Sequence, residues 1–252
     1  MDEITMTIPP SRRDALILSG KALLGLMAAV PALSGCGDGT SADSEALGLD
    51  TDAAAPASID WNSFIDQIAS RAETQFAPNW DQESYVHDIA ELMGALDVSD
   101  PQVESFFANY VNAAADFPEI NQVYWQASFE VAVLEFEAGE VIGLHDHPDM
   151  TGVIMCCGGR IEADNYTLLD ERSGSGKYLL RREAETVMSS GIIGTLTATT
   201  RNIHSLRATE FTQMLDVFTP PYDDYRSYAS KWFTKEEQPY QDSEDVFEAD
   251  AY

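Results

Sequence analysis

From Gln122 onward, short runs of residues alternate with a period of two, and this pattern limits the fold more than any other feature of the sequence. The first run, YWQASFEVAVLEFEAGE, alternates through Phe129, Val131 and Val133 and turns at Gly139. Residues two apart on a strand share a face, so such runs predict β-strands. Further runs follow, separated by glycine-bearing breaks. Many short strands with turns at this spacing predict a mainly β sandwich or barrel.

Three segments with helical periodicity precede the strands. Apolar residues recur at intervals of three and four in residues 59–76, 85–96 and 100–117. In the last of them Asp100 is the predicted N-cap and Pro101 the first helical residue.

A chain of 252 residues that is 44% hydrophobic can bury one sizeable core. We therefore expect a single domain over 59–252, with N-terminal helices at 59–117 and a β barrel at about 122–235.

Residues 1–36 have the pattern of an export signal. Arg12 and Arg13 precede the apolar stretch Ala22–Leu33, which is too short to cross a bilayer as a stable helix but suits a signal peptide. Paired arginines are typical of the twin-arginine route. LSGC, which ends at Cys36, resembles the lipobox of bacterial lipoproteins, where the cysteine is acylated. The alternatives are an ordinary signal peptide cut before this cysteine, or a mistaken start codon. We expect an exported, membrane-anchored lipoprotein on the periplasmic or extracellular face.

The negative charge belongs to the mature protein. The formal net charge is -29, and residues 1–36 contain as many acidic as basic side chains. Such a surface repels nucleic acids and anionic lipids, so we expect no nucleic-acid partner and membrane contact only through a lipid anchor. Adaptation to high salt and an ordinary solvated acidic surface explain the charge equally well. Residues 37–58 are small and acidic and predict a flexible linker.

The mature chain has two cysteines besides Cys36, and they are adjacent. Cys156 and Cys157 point to opposite faces of a strand, so a disulfide between them is improbable. We expect both to be small buried hydrophobic residues rather than nucleophiles.

Two of the four histidines lie in VIGLHDHPDMTG. On a strand His145 and His147 point to the same side, as two ligands of one metal would, although two polar residues can also fall together by chance. His204, on another predicted strand, can supply a third nitrogen. His87 is a lone histidine on a predicted helix, where we expect a surface or packing residue. With only that histidine outside the cluster, no serine-histidine-acid arrangement competes with a metal site.

These segments resemble a known family. GEVIGLHDHPDMTGVIMCCGG follows the first cupin motif, and LHDHPDM, NIHSL and LDVFTPPYDD occur in the order found in thiol dioxygenases of the cysteamine dioxygenase and plant cysteine oxidase family. The resemblance covers roughly Phe129 to Phe233. It implies a mainly β fold, a cupin double-stranded β-helix barrel, behind the helical preface. It also implies an Fe(II) ion held by His145, His147 and His204, and conversion of a thiol and O2 to a sulfinic acid.

The resemblance assigns two further residues to catalysis, Asp216 in LDV and Tyr222 in PPY. From the pattern alone, Asp216 either faces water or is a buried partner of a histidine or of a substrate amine. Turn packing is the alternative explanation for Tyr222. Ordinary cupins have a glutamate where this chain has Thr151 and Gly152. Three neutral ligands leave the ferrous ion its full charge, which favours an anionic thiolate.

The chain departs from the family in several places. Asp149 stands where the family has glycine, CCGG replaces the family's leucine-tyrosine-glycine, and RSYASKWF has no cysteine for a cross-linked cofactor. The expected substrates are a small aminothiol or an N-terminal cysteine, with O2; a mercapto-acid also fits, although the motifs contain no basic residue to bind its carboxylate. We expect a monomer.

Three other functions are compatible with the sequence. One is a non-catalytic metal-binding cupin, a sensor or binding module that holds zinc or nickel. A second is a dioxygenase that acts on carbon, although such enzymes usually keep the glutamate. A structural or scaffold role is the third.

Overall fold

The computed structural model describes residues 58–108, 117–172 and 176–252. The predicted export signal, Cys36 and the predicted linker up to residue 57 lie outside the described residues. Within the described ranges, no helix is both long and apolar enough to cross a bilayer.

The described chain begins with three helices. Their bounds are α1 Trp61–Ala72, which continues into a 3-10 turn Glu73–Phe76, then α2 Gln82–Ala95 and α3 Pro101–Phe107. Aspartates cap all three, because the carboxylates of Asp60, Asp81 and Asp100 each accept a hydrogen bond from a backbone N–H of the first turn. Such a cap stabilises a helix by about 1 kcal/mol. The predicted start of the third helix at Pro101 is confirmed.

Eleven strands follow, and they form two sheets. Their bounds are β1 Glu119–Gln126, β2 Phe129–Phe136, β3 Val141–Asp146, β4 Thr151–Gly158, β5 Arg160–Arg172, β6 Lys177–Ser189, β7 Ile193–Leu196, β8 Ile203–Ala208, β9 Thr212–Thr219, β10 Phe233–Lys235 and β11 Val246–Ala251. One sheet has the order β1-β2-β9-β4-β7 and the other β10-β11-β6-β5-β8-β3. A short helix, α4 Asp224–Ala229, joins β9 to β10.

The sheets build the predicted β barrel, but its strands extend further than expected. The expected end was near residue 235, whereas β11 runs to Ala251 and pairs with both β10 and β6. This strand lies in an acidic stretch, and only Phe247 and Ala249 are buried on it. A short half-buried strand of this kind has little apolar periodicity, so it gives a weak signal in the sequence.

The central strands β2 and β9 are buried on both faces. One face packs on the helices and belongs to a large apolar cluster that includes Phe64, Ile89, Val131, Val133, Leu215 and Val217. The opposite face lines the barrel interior, in a second cluster that includes Ala132, Leu134, Phe136 and Met214. The helical preface thus covers an outer sheet face that would otherwise meet water.

The two cysteines on β4 separate as predicted. Cys156 lies in the barrel interior, Cys157 packs against the helix-facing cluster, and both are free thiols. Burial raises the pKa of both, that of Cys157 to about 12. Neither is therefore a thiolate near neutral pH, which agrees with packing rather than nucleophilic chemistry.

Candidate metal centre

The structure brings the three predicted ligand histidines together. His145 on β3 lies directly opposite His204 on the antiparallel neighbour β8. Strand β3 ends at Asp146, so His147 follows the strand rather than lying on it. One ring nitrogen of each histidine lies within 4.8 Å of the others, and all three side chains are buried. His87, in contrast, is exposed on α2 beside Glu91, as expected of a surface residue.

Hydrogen bonds to the outer ring nitrogens orient two of these rings. His145 Nδ1 lies 2.8 Å from the carbonyl oxygen of Gly143. A carbonyl oxygen only accepts, so this nitrogen carries the proton and Nε2 presents its lone pair to the centre. His147 Nδ1 is hydrogen-bonded to the hydroxyl of Tyr222. Metal-binding histidines generally use their second nitrogen in this way, which fixes the ring.

The spacing of the inner nitrogens suits a metal ion. His147 Nε2 and His204 Nε2 are 3.0 Å apart. Two ligands at right angles, each about 2.1 Å from a metal, lie roughly 3.0 Å from one another. Burial lowers the pKa of His204 well below its usual value, and the neighbouring His145 lowers it further. His204 is therefore neutral near pH 7, the form that coordinates a metal. Together these observations show that the three histidines could hold a metal ion.

Two aromatic rings hold the ligands from outside. Trp232 stacks on His145 with ring centroids 5.0 Å apart, and Phe218 stacks on His147 at 4.8 Å. Neither residue is among the predicted site residues. Both are apolar residues in strand-like segments, where core packing is the ordinary explanation, so no local signal could identify them.

The backbone of His147 is held by Asn202, which is also not among the predicted site residues. Its Oδ1 accepts from His147 N at 3.0 Å, while its Nδ2 donates to the carbonyl oxygens of His147 and Thr197 at 2.8 and 2.9 Å. Asn202 begins the NIH stretch, so its position two residues before a ligand was the available signal.

Asp146 lies between the two ligands of the motif but anchors a different segment. Its carboxylate accepts from Lys231 N at 2.7 Å, and its own N–H donates to Lys231 O at 3.0 Å. This pairing fixes the backbone next to Trp232, the residue that stacks on His145. The aspartate of the HDH motif therefore ties the C-terminal segment to the strand that carries His145.

The residues that replace the usual cupin glutamate explain its absence. A Cβ atom at Gly152 would lie 2.8 Å from Phe218 Cε1 and 3.2 Å from Leu196 Cγ. A longer side chain at this position would therefore displace the ring that stacks on His147. Thr151 is buried and donates its hydroxyl to Thr219 O at 3.0 Å.

Asp149, which stands where the family has glycine, adopts a left-handed backbone conformation with φ of 57°. Glycine favours this region, and aspartate is among the few other residues that visit it routinely. The substitution is therefore compatible with an unchanged turn after the HDHP motif.

Asp216 and Tyr222 both lie close to the histidines. Asp216 is on β9, is only 5% exposed, and lines the same cavity as His204. It faces the barrel interior, because its neighbours Leu215 and Val217 pack on the helix side. The strand pattern allowed Asp216 either to face water or to be buried, and in the structure it is buried. Tyr222 follows the two prolines and reaches His147, so it contacts the site as well as the turn.

The cavity beside the histidines lies between the two sheets and is mainly apolar. Phe218, Ile154, Leu206 and Met188 supply most of its apolar wall. The polar side chains at its wall include those of His204, Asp216 and Asn165, and no lysine or arginine is among the described residues that line it. A small molecule in this cavity would be shielded from water close to the histidine nitrogens.

Several solved structures resemble the chain. One, described as an RmlC-like cupin protein from Desulfovibrio desulfuricans, is 19% identical, covers 45% of this chain and 95% of its own, and has a TM-score of 0.33. KdgF from a Halomonas species is 17% identical, with coverages of 46% and 96% and a TM-score of 0.34. A conserved Klebsiella pneumoniae protein with a double-stranded β-helix domain is 18% identical, with coverages of 44% and 82% and a TM-score of 0.33.

No curated protein sequence matches the chain. The PCO_ADO family model, in contrast, matches residues 90–251. This match extends over more than half of the chain. It includes all three histidines of the candidate metal centre, together with Asp216 and Tyr222.

Proposed function

The chain belongs to the PCO_ADO family, that of plant cysteine oxidases and cysteamine dioxygenases, and on this basis we propose that it is an iron-dependent thiol dioxygenase. Its fold is the predicted mainly β cupin barrel with a helical preface. The proposed substrate is a small aminothiol or an N-terminal cysteine thiol. In the overall reaction, RSH and O2 give RSO2H: both oxygen atoms form bonds to sulfur, which is oxidised while dioxygen is reduced.

The observation that carries this proposal is the buried set of three histidine nitrogens beside an apolar cavity. His145, His147 and His204 would hold the iron, and imidazole is a suitable ligand for it. Ferrous iron, when bound, supplies the redox chemistry between dioxygen and a thiolate. Because the protein ligands are neutral, the site favours the thiolate over the thiol. Because Gly152 has no side chain, the site lacks the carboxylate that ordinary cupins have at this position.

We propose that Asp216 binds the amine of the substrate. Its carboxylate lines the cavity on the sheet opposite His204, and no lysine or arginine is among the described residues that line the cavity. A cationic amine would therefore be attracted to this position and a substrate carboxylate repelled. This favours aminothiols and N-terminal cysteines over mercapto-acids.

We propose that Tyr222 positions His147. Its hydroxyl meets the outer nitrogen of that ring while Phe218 covers the ring face. Together these contacts limit rotation of His147 and keep Nε2 directed at the centre.

We also propose that the protein is exported by the twin-arginine route and anchored through an acylated Cys36. The support is the order of features in residues 1–36, with paired arginines, a short apolar stretch and LSGC. In this arrangement the acidic linker of residues 37–58 would separate the catalytic domain from the membrane.

The test of the activity is oxygen uptake by the purified protein. The protein is loaded anaerobically with ferrous iron and exposed to air with a panel of thiols. The masses of the products are then measured by mass spectrometry. Two added oxygen atoms on an aminothiol, lost in His204→Ala and retained in His87→Ala, are the expected result. His87 is a matched control because it is exposed and is not part of the histidine cluster.

If the histidines bind iron but no thiol is oxidised, the non-catalytic metal-binding module becomes the better description. A preference for zinc or nickel over iron would point the same way.

A further inference from the structure

Asn165 lies at the candidate centre, although no motif includes it. It is on β5, directly opposite His204 on β8. Directly opposed residues in an antiparallel pair have Cβ atoms about 4.5–5.5 Å apart on the same face of the sheet. The Asn165 amide is therefore about one side-chain length from a metal-binding ring. It lines the cavity together with His204.

The surroundings of this amide are mostly apolar. The alternate residues Ile161 and Ala163 on β5 belong to the apolar cluster of the barrel interior. Among the described residues, no hydrogen-bond partner of the Asn165 side chain is found. A half-buried amide in such a place is satisfied only by water or by a ligand, and a ligand that expels the water has to replace its hydrogen bonds. A ligand in the cavity therefore binds better if it has a polar group that can hydrogen-bond to the Asn165 amide.

Asp216 lines the same cavity from the other sheet. The cavity thus has a carboxylate on one wall and a neutral amide on the other, with apolar side chains around them. An ammonium group has three N–H donors and no acceptor. The carboxylate of Asp216 and the carbonyl oxygen of Asn165 are acceptors that could share these donors.

We propose that Asn165 is a specificity-determining residue that, together with Asp216, binds the ammonium group of an aminothiol substrate. This inference rests on the proposed function, because it presumes that a thiolate is held at the three histidines. It goes further in naming a residue that distinguishes an amine-bearing thiol from an apolar thiol of the same size. Asp216 supplies the charge, and Asn165 supplies the hydrogen bond that fixes the direction of the amine.

The test compares two probes of nearly equal shape, cysteamine and 1-propanethiol, which differ in an amine against a methyl group. Their anaerobic binding to the Fe(II)-loaded protein is measured by calorimetry, and their oxidation is measured separately. In Asn165→Ala the affinity for cysteamine should fall by roughly tenfold or more, as for a hydrogen bond to a charged group. The affinity for 1-propanethiol should stay within about twofold, because that probe loses no hydrogen bond.

Two further variants serve as controls. Asn121→Ala makes the same change at an exposed position of β1 and should alter neither affinity. Asn165→Asp keeps an accepting oxygen in nearly the same shape, so it should keep the preference for cysteamine. It also provides a second reading if the alanine variant folds poorly.

The outcomes separate this inference from the proposed function. Equal weakening of both probes in Asn165→Ala would overturn the inference, since the residue would then only shape the cavity. Absence of any preference for cysteamine in the unaltered protein would overturn it as well, even if thiols are oxidised. If no thiol is oxidised but cysteamine binds and Asn165→Ala removes its preference, the inference stands and the dioxygenase proposal fails.

Discussion

Trp232 lies flat against His145, with the ring centroids 5.0 Å apart and the ring planes inclined by 26°. The two residues are far apart in the sequence and meet because the segment before β10 forms a bridge with β3. Asp146 fixes this segment by its hydrogen bonds to Lys231. The C-terminal segment therefore forms one wall of the candidate metal centre, and changes in it are expected to reach the metal.

Replacing Trp232 by alanine should weaken both the fold and the centre. Truncation of a buried tryptophan costs about 3–5 kcal/mol of unfolding free energy, and His145 would lose the ring that limits its movement. We expect metal affinity to fall, with partial recovery in Trp232→Phe. Denaturant unfolding and metal titration measure the two effects. Trp125→Ala is the matched control, because Trp125 is 56% exposed; a similar loss in both alanine variants would argue against a specific contribution of Trp232.

Tyr222→Phe removes a single oxygen atom, the one that meets His147 Nδ1. Loss of such a partner typically lowers metal affinity by about 10–100-fold. The unfolding free energy of the metal-free protein should change by no more than about 1 kcal/mol, as for one hydrogen bond. Competition with a chelator gives the affinity, and Tyr228→Phe, at a position 93% exposed, is the control. Unchanged metal affinity in Tyr222→Phe would show that this tyrosine does not support His147 and only packs in the turn.

Gly152→Ala should destabilise the protein although it adds one methyl group. The new Cβ would lie 2.8 Å from Phe218 Cε1, so the ring must move away from His147. Overpacking of this kind typically costs about 1–3 kcal/mol. At Gly158 the nearest atom to an added Cβ is 4.0 Å away, so Gly158→Ala is the comparison. Equal unfolding free energies for the two variants would show that Phe218 shifts without cost.

The metal-free protein should lose stability as the pH falls below about 6.5, because burial lowers the pKa of His204 below that ordinary value. In this range the unfolded chain binds a proton that folded His204 does not, so the free energy of unfolding rises with pH and falls on acidification. His204→Gln should make the free energy of unfolding depend less on pH, in the range between about 6.5 and the lower pKa of His204 in the folded protein.

Buried carboxyl groups have the opposite effect on how the free energy of unfolding depends on pH. Burial raises the pKa of Glu135 and Asp146, so these groups favour the folded state at lower pH. The informative quantity is therefore the difference between His204→Gln and the unaltered protein, from denaturant titrations at several pH values. An identical pH dependence of the two would contradict the assignment of a neutral, buried His204.

Cys36→Ser should release the protein from the membrane without blocking export, since only the acylation site is lost. Replacing both Arg12 and Arg13 by lysine should instead retain the precursor inside the cell. Fractionation of cells that express the full chain, with activity measured in each fraction, distinguishes these results. Membrane retention of the Cys36→Ser protein would contradict the lipid anchor, and export of the lysine variant would contradict the twin-arginine route.

The sequence was most informative where the signal is local. The period of two predicted strands, the period of three to four predicted the helices, and Asp100 with Pro101 marked a helix start. The motif around His145 and His147, with the ordered motifs that add His204, predicted three side chains that the structure brings together. The predictions of strands and helices were confirmed, because side-chain spacing along one element follows directly from strand and helix geometry.

Local sequence patterns predicted only part of the candidate site. The strand pattern alone left it open whether Asp216 is exposed or buried, because an alternating strand normally has one solvent-exposed face, whereas the helices here bury both faces of β9. Asn165, Phe218 and Trp232 carry no local signal of a metal site. Their places depend on pairings between strands that are distant in the sequence.

The kinds of element, the barrel class, the family resemblance and the three candidate ligand histidines can thus be read from the sequence. Only the folded chain shows which other side chains surround those histidines, that a Cβ at Gly152 would crowd Phe218, and that Asn165 and Asp216 line one cavity. The physical reason is that spacing along a strand is fixed by the backbone, whereas contacts across a barrel depend on the register and packing of the whole domain.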